Sequence, residues 1–254
     1  MTYLQALILG IVQGITEFFP VSSSAHLRLV KKILAVPDGE HLLYFDLLCH
    51  AGTLLALMIY LRKDIADVLK KPSQILLFSL ALLPLIPAYF FLKPIRIALS
   101  DPSYLGIFLI LTSALLFGAS RTKKTAPANQ KWKNVLWIGL AQAAALIPGI
   151  SRSGSTIAAA RFCGWNLKEG AKFSFLLAIP TILGGELLET LKLVNSPSTG
   201  VVSTISYAIG FLASLCVGLF SVRAVFWIYE RGSIQPFAWY CLGIGLLALA
   251  IFHG

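Results

Sequence analysis

The sequence predicts an all-α polytopic membrane protein made of two interdigitated, inverted-topology repeats, each with a re-entrant helix-loop carrying a motif. Three observations predict it. Hydrophobic residues make up 57% of the 254 residues and charged ones 13%, with a mean hydropathy of +0.80, which leaves too little polar surface to coat a water-soluble globule. Eight apolar stretches account for nearly the whole chain. Two polar, serine-rich clusters recur at a fixed spacing.

The stretches cover residues 3–20, 42–61, 75–92, 104–119, 135–150, 173–191, 201–222 and 234–252, and a spanning helix needs about 20 mostly apolar residues. The first has no basic leader and runs into Pro20-Val-Ser-Ser-Ser instead of a small-residue cleavage site, so it is expected to stay in the mature protein. The second carries Asp46 and His50 four residues apart, an expected cavity lining. The sixth closes with Glu186 and Glu189, which fit a cation site or a solvated helix end near the outer surface. His41 and His253 are expected to be exposed and incidental. The longest polar connection, Arg121 to Lys133, is a short basic loop, so a single membrane domain over 1–254 is expected. Lys123, Lys124, Lys131 and Lys133 are expected to fix topology, aided by anionic lipid. The net charge of +10 does not point to nucleic acid, because the basic residues sit at the ends of apolar stretches and form no continuous face. Cys49, Cys163, Cys216 and Cys241 share no ligand-like spacing and are expected to be small core residues.

The repeat follows from self-comparison. At an offset of 129, Gln13, Ser22 and Ser24 fall on Gln142, Ser151 and Ser153; at 128, Phe45, Leu48, Thr53 and Leu55 fall on Phe173, Leu176, Thr181 and Leu183. The halves run over about 1–125 and 130–254, with four stretches each. Inverted repeats around a midplane site need an odd number of crossings per half, so one stretch in each must dip in and return. The first and fifth are the candidates, because Ser, Gly and Pro at membrane depth suit a broken helix lining a polar cavity. With 62–74, 120–134, 153–172 and 223–233 placed in the cytoplasm, those loops hold 14 basic residues against 5 in 28–41, 93–103 and 193–202. This bias predicts both termini outside.

A charge at the centre of the hydrocarbon costs about 2.5–3.5 kcal/mol even on the lenient insertion scale, so ionisable groups there are functional candidates. The first cluster reads Gln13-Gly-Ile-Thr-Glu17-Phe-Phe-Pro20-Val-Ser22-Ser23-Ser24-Ala-His26, with Gln13 and Glu17 on one helix face. The second is Pro148-Gly149-Ile-Ser151-Arg152-Ser153-Gly154-Ser155-Thr156, where glycines allow close backbone approach and serines can hold phosphate oxygens. Arg152 suits bidentate phosphate binding and stabilisation of charge on a transferring phosphoryl group. Any one serine is as well explained by hydrogen bonding between helices, and Glu17 with Arg152 by a structural ion pair. The combination within two Ser/Gly/Pro turns is more specific than its members, and supplies what phosphoryl transfer through a serine or an activated water requires.

At these clusters the sequence resembles the undecaprenyl-diphosphate phosphatase family, the bacitracin-resistance membrane phosphatases that regenerate the carrier lipid of bacterial cell-wall synthesis. The matching marks are Gln13 and Glu17 with the Pro20 to His26 turn, and Pro148, Gly149, Ser151, Arg152, Ser153 and Thr156. The resemblance implies Glu17, Ser23, His26 and Arg152 as the catalytic set, with attack by Ser23 or by a water that His26 activates. It implies Gln13, Ser22, Ser24, Gly149, Ser151, Ser153 and Thr156 around a polyprenyl diphosphate lipid. It further implies a divalent cation, Mg2+ or Ca2+, with Glu17 as candidate ligand, and no organic cofactor. Membrane lipids are the other expected partners, and a homodimer is compatible with the sequence. The expected location is the bacterial inner membrane, with the active site open to the periplasmic side. Two positions depart from the family pattern: many members carry glutamate at Gln13, which removes a second carboxylate, and glycine at Ala25. The rival reading is a transporter or flippase of a polyprenyl phosphate, since inverted repeats with broken helices are transporter architecture.

Overall fold

The computed structural model describes residues 1–36, 40–122, 131–194 and 202–253. Lys123 and Lys124, and the side chains of His41 and His253, lie outside what is described. Among the described residues all extended regular structure is helical.

Thr2 opens α1 (Tyr3–Thr16) with a capping box: its hydroxyl accepts from the Gln5 backbone and the Gln5 side chain accepts from the Thr2 backbone. The helix stops where Pro20, with no N–H to donate, closes the turn 17–22. There follow α2 (Ser23–Ile33), α3 (Glu40–Tyr60), α4 (Arg62–Leu69), α5 (Pro72–Leu82), α6 (Leu85–Phe91) and α7 (Lys93–Ala98). A single 3-10 turn, Pro102–Tyr104, leads into α8 (Leu105–Ser120). The second half consists of α9 (Trp132–Ala144), a turn over 145–151, α10 (Arg152–Phe162), α11 (Leu167–Val194), α12 (Thr204–Glu230) and α13 (Gln235–His253).

Among the described residues, six helical segments are long and apolar enough to cross a membrane: Leu42–Tyr60, Pro72–Phe91, Pro102–Ser120, Leu167–Lys192, Thr204–Glu230 and Gln235–Phe252. The protein is thus an all-α polytopic membrane protein. The first and fifth apolar stretches are not among the six. Their helices, α1 and α9, have 14 and 13 residues, about 20 Å each at 1.5 Å per residue and too short for a hydrocarbon core of about 30 Å.

Several expectations need correction. The segments 28–41 and 153–172 were expected to be loops, but the first contains the end of α2 and the second nearly all of α10. Arg161, counted among the loop cations, is only 6% exposed on α10, with Nη1 and Nη2 donating to the carbonyls of Trp165 (2.9 Å) and Thr122 (2.6 Å). A hydropathy window misses α10 because its Ser, Gly and Arg dilute the signal of its alanines. Cys49 and Cys241 are buried as expected, whereas Cys163 is half-buried and Cys216 is exposed on α12.

Packing brings helices from the two halves together. α1 lies along α12 and α9 along α5 and α6, while α3 also packs on α12 and α8 on α13. The α1–α12 approach is so close that a Cβ on Gly10 would stand 2.7 Å from the Gly210 carbonyl oxygen, the small-residue contact by which membrane helices gain packing. This contact has a counterpart: a Cβ on Gly139 would stand 2.3 Å from the Ala81 carbonyl oxygen. Positions 10 and 139, and 81 and 210, are each separated by the 129 residues that separate the motifs. Gly10→Val is expected to lower stability by about 1–3 kcal/mol through overpacking, read as a lower melting temperature in detergent. Gly184→Ala, where a Cβ meets nothing within 4 Å, should leave the melting temperature unchanged or raise it.

Candidate active site

Each polar turn delivers its serines at the start of a short helix. Ser151 caps α10, its Oγ accepting from the Gly154 amide at 3.1 Å. Ser22 enters α2 at φ 69°, ψ 91°, with no side-chain cap. A non-glycine residue in that left-handed region costs roughly 1–3 kcal/mol and persists only when its surroundings enforce it. His26 is the enforcing group. Its Nδ1 donates to the Ser22 carbonyl at 2.8 Å, and its Nε2 accepts from the Tyr240 hydroxyl at 3.0 Å. The imidazole also stacks on the Tyr240 ring, with centroids 5.5 Å apart.

The starts of α2 and α10 meet at one cavity of about 390 Å3, lined by Glu17, Ser22, Ser23, Ser24, Ser151, Arg152 and Ser153. α3 adds Asp46 and His50 to its wall, and α11 adds Thr181, Glu186 and Glu189. First-turn amides lack intrahelical acceptors and mark the positive end of the helix dipole, so two helix N-termini on one cavity favour an anion between them. Half-helices directed in this way at an anionic substrate are a recurring device at membrane depth.

Glu17 ties the halves together. Its side chain is 4% exposed and its Oε1 accepts from Arg152 Nη2 at 2.5 Å. Its Oε2 accepts from Ser23 Oγ at 2.8 Å and from Gln13 Nε2 at 3.0 Å. A second link crosses the halves where Ser153 Oγ donates to the Phe19 carbonyl at 3.2 Å. Arg152 Nη1 is buried with no hydrogen-bond partner, so the guanidinium keeps a donor unspent beside the cavity.

Of the residues singled out in the sequence, Glu17, Ser22, Ser23, Ser24, Ser151, Arg152 and Ser153 line the cavity, together with Asp46, His50, Glu186 and Glu189. The other four stand behind it. Gln13 is fully buried against Glu17 and Thr53, and His26 faces Tyr240. Thr156 is held by the Arg152 carbonyl at 2.9 Å and by Ser174 Oγ at 2.5 Å. Gly149 turns the chain at φ 97°, where a Cβ would also meet Phe108 at 2.9 Å. Sequence reasoning did not find Tyr240 or Lys31, whose Nζ holds Asp46 Oδ2 at 2.6 Å. It also missed that both motifs are helix starts, for which Ser151 before the alanine run of α10 was the available capping signal.

Glu17 itself is not free to hold a divalent cation. Both Glu17 oxygens are already engaged by Arg152, Ser23 and Gln13, and the side chain at position 13 is an amide. Among the described residues, no group of three or more His, Cys, Asp or Glu side chains comes together as metal ligands. What the site offers instead is an anion cradle, a carboxylate that already accepts the hydrogen of a serine hydroxyl, and an arginine with a donor to spare.

Residues 6–247 match the family model described as bacitracin resistance protein BacA. A protein of Protochlamydia amoebophila named undecaprenyl-diphosphatase is 38% identical over 256 residues, covering 100% of both chains. One of the same name from Carboxydothermus hydrogenoformans is 37% identical, covering 98% of each. A third, from Parabacteroides distasonis, is 35% identical with the same coverage.

Proposed function

This chain belongs to the bacitracin resistance protein BacA family, and from that premise we propose that it hydrolyses undecaprenyl diphosphate to undecaprenyl phosphate and inorganic phosphate. Recycling of the carrier lipid for cell-wall synthesis and resistance to bacitracin follow from that activity. The observation that carries the reading is the convergence of two helix N-termini and Arg152 on one cavity that also presents the Glu17–Ser23 pair.

In the reaction, Ser23 Oγ attacks the terminal phosphorus while its proton passes to Glu17 Oε2, with which it is already hydrogen-bonded. The bond from phosphorus to the bridging oxygen breaks and the lipid monophosphate departs. Arg152 and the first-turn amides of α2 and α10 take up the charge that develops on the phosphoryl oxygens. Ser24 and Ser151 offer hydroxyls to the diphosphate, while Ser153, bonded to the Phe19 carbonyl, and Gln13, His26, Gly149 and Thr156 hold the turns in place. No step needs a second copy of the chain, and none is routed through a metal.

The paired contacts Gly10–Gly210 and Gly139–Ala81 support two interdigitated inverted repeats within one membrane domain over 1–254. The basic bias of the segments joined to α4, α9 and α11 supports an inner-membrane topology with the cavity opening to the periplasmic side and both termini outside. Detergent solution separates this reading from a transporter, because no transport can occur there. The purified protein is expected to release one inorganic phosphate for each lipid monophosphate formed. Silence in detergent alongside transport of polyprenyl phosphate in vesicles would remove the enzyme reading.

A further inference from the structure

We propose that His50 is the base that activates the water in the second half of the reaction, the hydrolysis of phosphorylated Ser23; the inference rests on the nucleophile assignment above. His50 lines the catalytic cavity from α3. Its Nδ1 lies 2.8 Å from the Asp46 carbonyl oxygen. A carbonyl only accepts, so Nδ1 carries the hydrogen, and in the neutral ring Nε2 keeps its lone pair.

That nitrogen is 3.8 Å from Glu17 Oε2, beyond hydrogen-bond reach. Two acceptors facing each other across such a gap suit a guest with two O–H donors, and a water about 2.8 Å from each satisfies both. Glu17 Oε2 is also the atom on which Ser23 Oγ rests. Once Glu17 Oε2 has taken the Ser23 proton it no longer accepts from this water, and His50 Nε2 is the acceptor that remains to it in the cavity that holds the phosphoryl group.

His26 is not placed to do this. Both of its ring nitrogens are engaged, by the Ser22 carbonyl and Tyr240, and it is not among the cavity-lining residues. Releasing it would free the left-handed turn at Ser22. His50 shares its surroundings with Glu17 and its partner Arg152, with Asp46 held by Lys31 of α2, and with Glu186 and Glu189 of α11. None of these neighbours donates to Nε2.

The first step leaves a proton on Glu17. In the second, the water oxygen bonds to phosphorus as one of its protons moves to His50 Nε2. The phosphorus–Oγ bond breaks, Ser23 Oγ takes back its proton from Glu17, and inorganic phosphate leaves. The imidazolium then returns its proton to solvent.

The test is rapid-quench turnover of undecaprenyl diphosphate by purified His50→Ala and His50→Gln in detergent. Lipid monophosphate and inorganic phosphate are counted separately, and the Ser23 peptide is weighed by mass spectrometry. Each variant is expected to give a burst of one lipid monophosphate per enzyme and to retain phosphate on Ser23. Steady phosphate release should fall about 10²–10⁴-fold, the usual contribution of a general base. His50→Gln fills much the same space but has no basic nitrogen, so it carries the test if the alanine variant does not fold. Both products falling in step with no phosphoserine, or wild-type turnover in either variant, would overturn the proposal. A wild type that releases no phosphate would instead strike the phosphatase reading itself.

Discussion

Arg152→Ala is expected to lower phosphate release about 10³–10⁵-fold, the range seen when a transition-state arginine is removed from a phosphoryl-transfer site. The large value follows from how the guanidinium is spent. Nη2 is committed to Glu17 Oε1 and Nη1 has no hydrogen-bond partner in the protein, so the guanidinium retains donor capacity for charge that develops during the reaction. The same substitution also leaves Glu17 buried without its cation, which costs about 3–5 kcal/mol where such pairs are well enclosed. Activity and folding must therefore be read together. Arg152→Lys separates them, because it keeps the charge and a bond to Glu17 but cannot present two donors in a fork. It is expected to elute as a single species from size exclusion and melt near the wild type, yet turn over about 10²–10³-fold more slowly, the effect of losing one transition-state donor. An Arg152→Ala protein that folds and retains near-normal turnover would reduce Arg152 to a tie between the two halves.

The membrane class and the pairing of the two motifs were legible in the sequence because both rest on coarse physics. Apolar length identifies spans, and an arginine or a carboxylate inside them needs a partner. Glu17 and Arg152 lie 135 residues apart, yet each is a charge in a Ser/Gly/Pro-rich motif that ends an apolar stretch, so their meeting could be anticipated. The roles of the two histidines were not legible. His26 sits inside the motif but is drawn away from the cavity by Tyr240, 214 residues distant on α13. His50 looked like a secondary lining residue on α3, because spacing along one helix does not reveal which turn of another helix it will face. The hydrophobic signal hid α10 for a related reason. That helix is held by contacts of its buried face with α8, α9 and α11, and tertiary packing supplies most helical stability in proteins. The small-residue pairs behind the close approach of α1 to α12 were present as Gly10, Gly14, Gly210 and Gly218, but their partners became apparent only once the chain was folded.

Ser23→Ala carries the other large effect, a loss of about 10⁴–10⁶-fold in phosphate release, on the scale of removing the nucleophile from a serine enzyme. Three serines stand in a row, and their environments separate them. Ser23 Oγ donates to Glu17 Oε2 at 2.8 Å, so its proton already has an acceptor when phosphorus approaches. Ser22 Oγ and Ser24 Oγ meet only each other, at 3.3 Å, and neither is bonded to a carboxylate. Ser22 matters instead through its backbone, whose left-handed turn is held by His26, and alanine keeps the Cβ that the turn already tolerates. Ser22→Ala is accordingly expected to stay within roughly 10-fold of the wild type, since it loses at most one neutral hydrogen bond of about 0.5–1.5 kcal/mol, and Ser24→Ala to fall about 10–100-fold, since its bond to the charged diphosphate is worth about 1.5–3 kcal/mol. The three variants are to be compared in one detergent preparation, with melting temperatures alongside. If Ser23→Ala turns over at a rate similar to the other two, attack passes from the serine to a water, and no phosphoserine will be found in any variant.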